Sequence, residues 1–478
     1  MTGAPTIRFV SLLRQNINVV FLIVGIILLS LLYPLVKDWQ VYEPKQATPP
    51  FFIWVYVIVM GGMFLVTEVK DIVRADVNTP CKLMLLLFIF TAISQLLSVA
   101  IGVTWFFCAT AYAYAIIRRK FYLPVGTLVL LLAYYLFQVT GLIGSVEMKD
   151  GLHTLKQQLP LLALPLAFCC WRPTSSEWRV FLAVSYRFVL VYLSCIILMC
   201  ILLTQYYDQS VLSAFSFDKF YLKTPYPTLA SSFSMLYWTH FTHPTYIFLG
   251  IYAIFIAVAI RQYFYREQVI STVEAIYGLV TLSCFAFIAQ SRLAMLLIPL
   301  TVMIFFLLRS FLLRRKKRLF LVLFVILVGG GIVNSLLSHR FFSYGERMQM
   351  REVAMQVIQS HPLTGVRLGS MDNILQAWIE TDVQLKHPHN QFLADGMQFG
   401  IIGIIFLVLF MVGLIYFAYR EKRYVFLLFL LTTLLTMTIE SPLVFVRGVY
   451  LLAFWFSTFA VMPIRKDDLV LKKYSKTS

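Results

Sequence analysis

Long apolar runs, each parted from the next by a short polar stretch, recur along this chain from Ile17 to Pro463. Segments at roughly 17–36, 51–67, 82–98, 101–117, 122–145, 155–171 and 178–204 are long enough, or nearly so, to cross about 30 Å of hydrocarbon as helices. Seven more follow at roughly 244–262, 270–290, 293–312, 319–337, 399–418, 424–440 and 447–463. The pattern predicts an all-α polytopic membrane protein of about 12–14 transmembrane helices, residues 1–478 forming a single membrane domain. Two places leave the count open. The 82–117 stretch has no charge to mark a turn, and the 155–171 segment is short and begins amphipathically.

Composition agrees: 60% of the 478 residues are hydrophobic and 13% are charged, against roughly a quarter charged in soluble domains. The net charge of +18 is gathered in clusters between apolar segments, the strongest being Arg314, Arg315, Lys316, Lys317 and Arg318. Arg118–Lys120, Arg420–Arg423 and the 464–478 tail carry the others. All fall on one side of the membrane under this assignment, so they predict topology rather than nucleic-acid binding, with both termini cytoplasmic. The first apolar run is followed by Tyr33 and Pro34 and not by a small-residue cleavage site, so that helix is expected to stay. The seven cysteines have no metal or disulfide spacing and count as small apolar residues. No glycine-rich phosphate loop follows a strand, and no cofactor is expected.

Two extracytoplasmic loops stand out, 205–243 and 338–398. In the second, Met348, Val353, Val357 and Ile358 have helical spacing between polar residues, which predicts an amphipathic helix from Glu346 to Ser360 on the membrane face. Pro362 and Gly365 end it. A second amphipathic piece is predicted over Ile374–Ile379, and the chain re-enters the membrane just after His389.

This loop resembles the O-antigen ligase family of bacterial membrane glycosyltransferases, which includes O-antigen polymerases and some protein O-oligosaccharyltransferases. Arg347, a helix and the turn His361-Pro362-Leu363-Thr364-Gly365-Val366 resemble the family's arginine, helix and P-L-x-G-V turn. Arg351 stands where the family typically has a tryptophan. His389-Asn390, nine residues, and Gly400-Ile401-Ile402-Gly403 fit a second family pattern, and Gln290-Ser291-Arg292 is similar to a third. The likeness covers roughly residues 240–405; two extra N-terminal spans would be a departure from the family's about twelve.

The resemblance implies transfer of a glycan from undecaprenyl diphosphate to an acceptor hydroxyl, such as a lipid A core sugar, on the periplasmic face of the bacterial inner membrane. The leaving group is a lipid diphosphate whose growing charge needs a metal ion or fixed cations. Guanidinium groups suit it, since they pair bidentately with phosphate oxygens and stay charged. Arg292 and Arg347, with Arg351, are the expected diphosphate holders; the plainer alternative for Arg292 is a snorkelling anchor, which its place on the outer side disfavours.

His389 is the expected general base, because an imidazole can accept a proton near neutral pH; His387 is a decoy two residues away. Gly396, Gly400 and Gly403, at i, i+4 and i+7, are expected to share one helix face for close packing. For Asn390, orienting His389, binding phosphate and capping the next helix all fit. His243 resembles a less specific family element and is also explained as an interfacial residue. Glu440 and Arg447 flank the last outer turn, either paired with each other or facing the sugar.

Other mechanisms make different demands. A metal-dependent transferase needs an acidic pair in the first outer loop, where Asp38 and Glu43 are widely spaced; Glu380 and Asp382 come nearest elsewhere. A metal site is therefore not expected. A lipid-linked glycan transporter needs polar groups along a path through the membrane, whereas these gather at one face.

Overall fold

The structure, a computed structural model, describes residues 16–35, 77–93, 97–122, 126–206, 244–288, 294–299, 344–369 and 388–463, with gaps at 146, 264 and 266, plus isolated positions between 55 and 72 and at 210 and 302. In chain order the helices used below are α1 (Ile17–Leu32), α2 (Thr79–Phe88), α3 (Leu97–Arg118), α4 (Gly126–Thr140), α5 (Met148–Gln158), α6 (Pro160–Cys170) and α7 (Ser175–Tyr206). They continue as α8 (Pro244–Tyr263), α9 (Thr272–Ile288), α10 (Tyr344–Ser360), α11 (Gln391–Arg420), α12 (Tyr424–Met437) and α13 (Val446–Val461). The described residues contain no strand.

Five helical stretches among them are long and apolar enough to cross a membrane: Asn18–Leu35, Ser98–Arg118, Ser175–Leu202, Thr245–Tyr263 and Gln391–Arg420. Their outer faces are apolar too, with Ile27, Leu31, Phe106, Ile117, Ile405 and Leu409 exposed, as expected where the solvent is lipid. The chain is an all-α polytopic membrane protein. The expected spans near 319–337 and most of 51–67 and 293–312 lie outside the described residues.

The 155–171 segment resolves into two helices. Pro160, which has no N–H to lose, starts α6, and the polar stretch before it is the separate helix α5, burying only Gly151, Leu155 and Gln158. Across 82–117, α2 ends in a π-turn at Ile89–Ile93 and α3 begins at Leu97.

Two compact units interleave along the sequence, one of residues 1–85, 92–95 and 175–298, the other of 86–91, 96–174 and 299–478. In the first, α7 packs on α1, α8 and α9, and Trp178 stacks on Phe181 at 5.2 Å. Arg187 of α7 donates to Glu68 at 2.8 Å and to Glu274 at 2.7 Å. An arginine among apolar helices requires such partners, because an unpaired buried charge costs several kcal/mol, ~3–5.

In the second unit, α4 runs against α11: Phe137 stacks on Phe406 at 4.0 Å, and Tyr134 meets Phe410 at 4.7 Å. Phe429, Phe454, Trp455 and Phe459 fill the space around α12 and α13. This apolar packing holds the elements that carry the candidate site.

Candidate active site

The site begins with a break in α11. Gly400 has φ 65° and ψ −153°, a conformation essentially confined to glycine, and it divides α11 into a short arm, 391–399, and a long arm, 401–420. The arms fold toward each other: a Cβ on Gly403 would lie 2.5 Å from the Asp395 carbonyl oxygen, and one on Gly396 would lie 2.9 Å from Ile404. In a straight helix, residues eight apart stand about 12 Å apart. The expectation that Gly396, Gly400 and Gly403 share one helix face is therefore corrected, since Gly400 ends the helical period on which it rested.

Breaking a helix orphans carbonyls before the break and N–H groups after it. Here the turn after α10 satisfies both. Val366 N–H donates to Met397 O at 2.9 Å, Arg367 N–H donates to Gln398 O at 2.9 Å, and Ile401 N–H donates to Pro362 O at 2.8 Å. Gly365, at φ 60°, makes the approach possible, because a Cβ there would lie 2.4 Å from the Gln398 carbonyl carbon. Leu368 N–H donates to Gly141 O at 3.1 Å, and Ser145 Oγ donates to Leu368 O at 2.6 Å, tying the turn to the end of α4. The P-L-T-G-V turn and the Gly-x-x-Gly pattern thus form one structural piece.

The amphipathic helix predicted from Glu346 is α10. Its apolar residues Val353, Ala354, Val357 and Ile358 pack on Leu393 and Met397 of the short arm, so the stripe's partner is protein.

The short arm carries the histidine. Asn390 is its N-cap, Oδ1 accepting from Leu393 N–H at 3.1 Å. Asn390 also donates from Nδ2 to Thr438 O at 3.1 Å and from its backbone N–H to Ser441 Oγ at 3.1 Å, fastening the cap to the turn between α12 and α13. His389 just before it has φ 44°, a left-handed conformation a non-glycine residue keeps only when its surroundings impose it.

That turn brings Glu440 to the histidine. His389 Nδ1 lies 2.9 Å from Glu440 Oε2, and their side chains are 11% and 4% exposed. With the carboxylate accepting, Nδ1 carries the proton and Nε2 presents its lone pair. Such an imidazole can take a proton from a hydroxyl while the carboxylate beneath it steadies the cation that forms.

Of the residues singled out from sequence, the structure joins His389, Asn390 and Glu440. Glu440 pairs with His389, and Arg447 is half-buried in the first turn of α13. Arg351 is exposed on α10; Arg347 lies one turn earlier on that helix, its side chain outside the described residues. Arg292, His243, His387, Glu380, Asp382 and the piece at 374–379 also lie outside them.

Sequence reasoning passed over Asp395, Gln391 and Tyr134. Asp395 is 2% exposed, accepting from Tyr134 Oη at 3.1 Å and from Gln391 Nε2 at 2.8 Å. A carboxylate six residues inside an apolar approach to a span was the available signal.

Comparison with curated proteins finds no match. Residues 277–408 match the family model described as O-antigen ligase, a stretch that takes in the capped turn, His389 and the Gly400 break and stops short of Glu440. That match supports the O-antigen ligase family for this chain, and with it a glycosyltransferase of the ligase and polymerase type.

Proposed function

We propose that this protein transfers a glycan from undecaprenyl diphosphate to an acceptor hydroxyl, the favoured acceptor being a lipid A core sugar, on the periplasmic face of the inner membrane. The observation that carries the reading is the His389–Glu440 pair, 2.9 Å apart, set beside the family's glycine turn. His389 Nε2 takes the acceptor proton as the hydroxyl oxygen attacks the anomeric carbon, and the bond to the diphosphate oxygen breaks. Arg292 and Arg347, with Arg351, hold the departing diphosphate, whose charge these fixed cations offset as a metal ion would. The 338–398 loop is the catalytic one. His243 and Arg447 are assigned to substrate contact.

In reconstituted vesicles carrying donor and acceptor glycolipids, Glu440→Gln is expected to lower kcat by about 10²-fold, since it keeps the size but not the charge beneath the imidazole. A kcat near the native value would remove Glu440 from the mechanism. Transfer is also expected to proceed unchanged in excess EDTA; loss of activity, restored by a divalent ion, would replace the arginines with a metal.

Deleting the gene and separating the surface polysaccharide on a gel tests the acceptor. Loss of long chains from lipid A with polymer kept on its carrier supports the ligase reading. Single-repeat lipopolysaccharide would mean a polymerase, and a normal profile with unglycosylated proteins a protein-directed enzyme.

A further inference from the structure

The turn that presents Glu440 is pinned at three points. Asn390 holds Thr438 O and Ser441 Oγ, and Gln391 Oε1 accepts from Leu443 N–H at 2.9 Å. The first two grips come from the residue that caps the short arm. The third comes from a side chain that must itself be aimed. Gln391 is 1% exposed, and its Nε2 donates to Asp395 Oδ1, one helical turn on, at 2.8 Å.

Asp395 is in turn fixed from α4 by Tyr134 Oη at 3.1 Å, and Tyr134 is wedged by Phe406 and Phe410 of the long arm, ring centroids 6.2 and 4.7 Å away. A buried carboxylate among apolar helices is expensive to desolvate, and its bonds to Tyr134 and Gln391 offset part of that cost. The same two bonds also fix an orientation. The amide of Gln391 must have its oxygen toward Leu443 N–H, and Asp395, an acceptor on its other side, determines which way the amide faces.

We propose that Asp395 is a positioning residue for the His389–Glu440 pair: through Gln391 it holds the 438–444 turn so that Glu440 sits at hydrogen-bond distance from His389 Nδ1. The proposal rests on the reading of His389 as base. It gives the short arm a role beyond carrying the histidine, since the same arm grips both partners.

The test is a double-mutant cycle in the full-length protein in vesicles, with single-turnover transfer from a labelled lipid diphosphate-linked glycan. Asp395→Ala is expected to lower kcat by about 10-fold or more with donor KM changed by less than about 2-fold. Asp395→Asn, which can keep an acceptor toward Gln391, should restore most of the rate. In a Glu440→Gln background, Asp395→Ala should cost less than about 2-fold, because the group it positions is already impaired.

Equal losses in both backgrounds, or no loss from Asp395→Ala, would overturn the proposal. If Asp395→Ala is not recovered as a monodisperse protein, Gln391→Met removes the grip on Leu443 at similar volume, and the same cycle decides. His389→Ala separates the two ideas: retained transfer there sinks the base reading, while an inactive His389→Ala with additive Asp395 losses sinks only the positioning role.

Discussion

His389→Ala is expected to abolish measurable turnover, a fall in kcat of about 10³-fold, with donor binding largely kept. The substitution removes the group that receives the acceptor proton in this reading and leaves the diphosphate holders in place. In cells, lipid-linked glycan should then accumulate on the periplasmic side. Accumulation on the cytoplasmic side would point to transport, and a kcat within about 10-fold of native would take His389 out of the chemistry. His389→Gln is a useful companion, since it retains a polar side chain toward Glu440 without a basic nitrogen.

Gly400→Ala is expected to be strongly damaging for a change of one methyl group. Its backbone conformation, φ 65° and ψ −153°, costs about 1–3 kcal/mol for any residue with a Cβ. The added carbon would also lie 2.5 Å from the Leu363 carbonyl carbon and 2.6 Å from Pro362 O, backbone atoms that cannot step aside without undoing the capping of both arms. The expected result is a melting temperature in detergent lower by several degrees and transfer reduced with it. Gly413→Ala provides the contrast. It meets Leu130 Cδ1 at 2.8 Å, the far end of a flexible side chain, so little change is expected. Similar melting temperatures for the two variants would show that the break tolerates a side chain.

Much of this architecture was legible from the chain alone. Helices α1, α7, α8, α12 and α13 lie close to where hydropathy placed them, because a helix within a membrane protein is apolar for most of its length whether it packs on lipid or on other helices. Residues 346–360 announced an amphipathic helix by period, and Pro362 and Gly365 announced its end. His389 and Asn390 were found through a family pattern.

What escaped was long-range. Glu440 was a candidate, but nothing local indicates that a carboxylate 51 residues on meets His389 Nδ1. The reversal at Gly400 was missed because an apolar run with a glycine inside fits a continuous helix as well as two arms. Only the docking of Pro362–Arg367 onto the break distinguishes them, and that contact belongs to tertiary structure. Asp395 was overlooked for the same reason: as part of one long helix it is an anomaly, and only beside Gln391 and Tyr134 does it acquire a task.

The unequal lengths of two neighbouring helices have a consequence for access. From the turn at Lys422, the long arm of α11 rises about 30 Å to Gly400, whereas α12 rises about 21 Å before the turn bearing Glu440. Along helices joined by that short turn, the difference of about 9 Å sets Glu440 nearer the turn than Gly400 is, which is the level the short arm reaches when it folds back to bring His389 to the carboxylate. In the transfer proposed above, a lipid-anchored donor would present its diphosphate at that level, and the acceptor hydroxyl would have to reach it there.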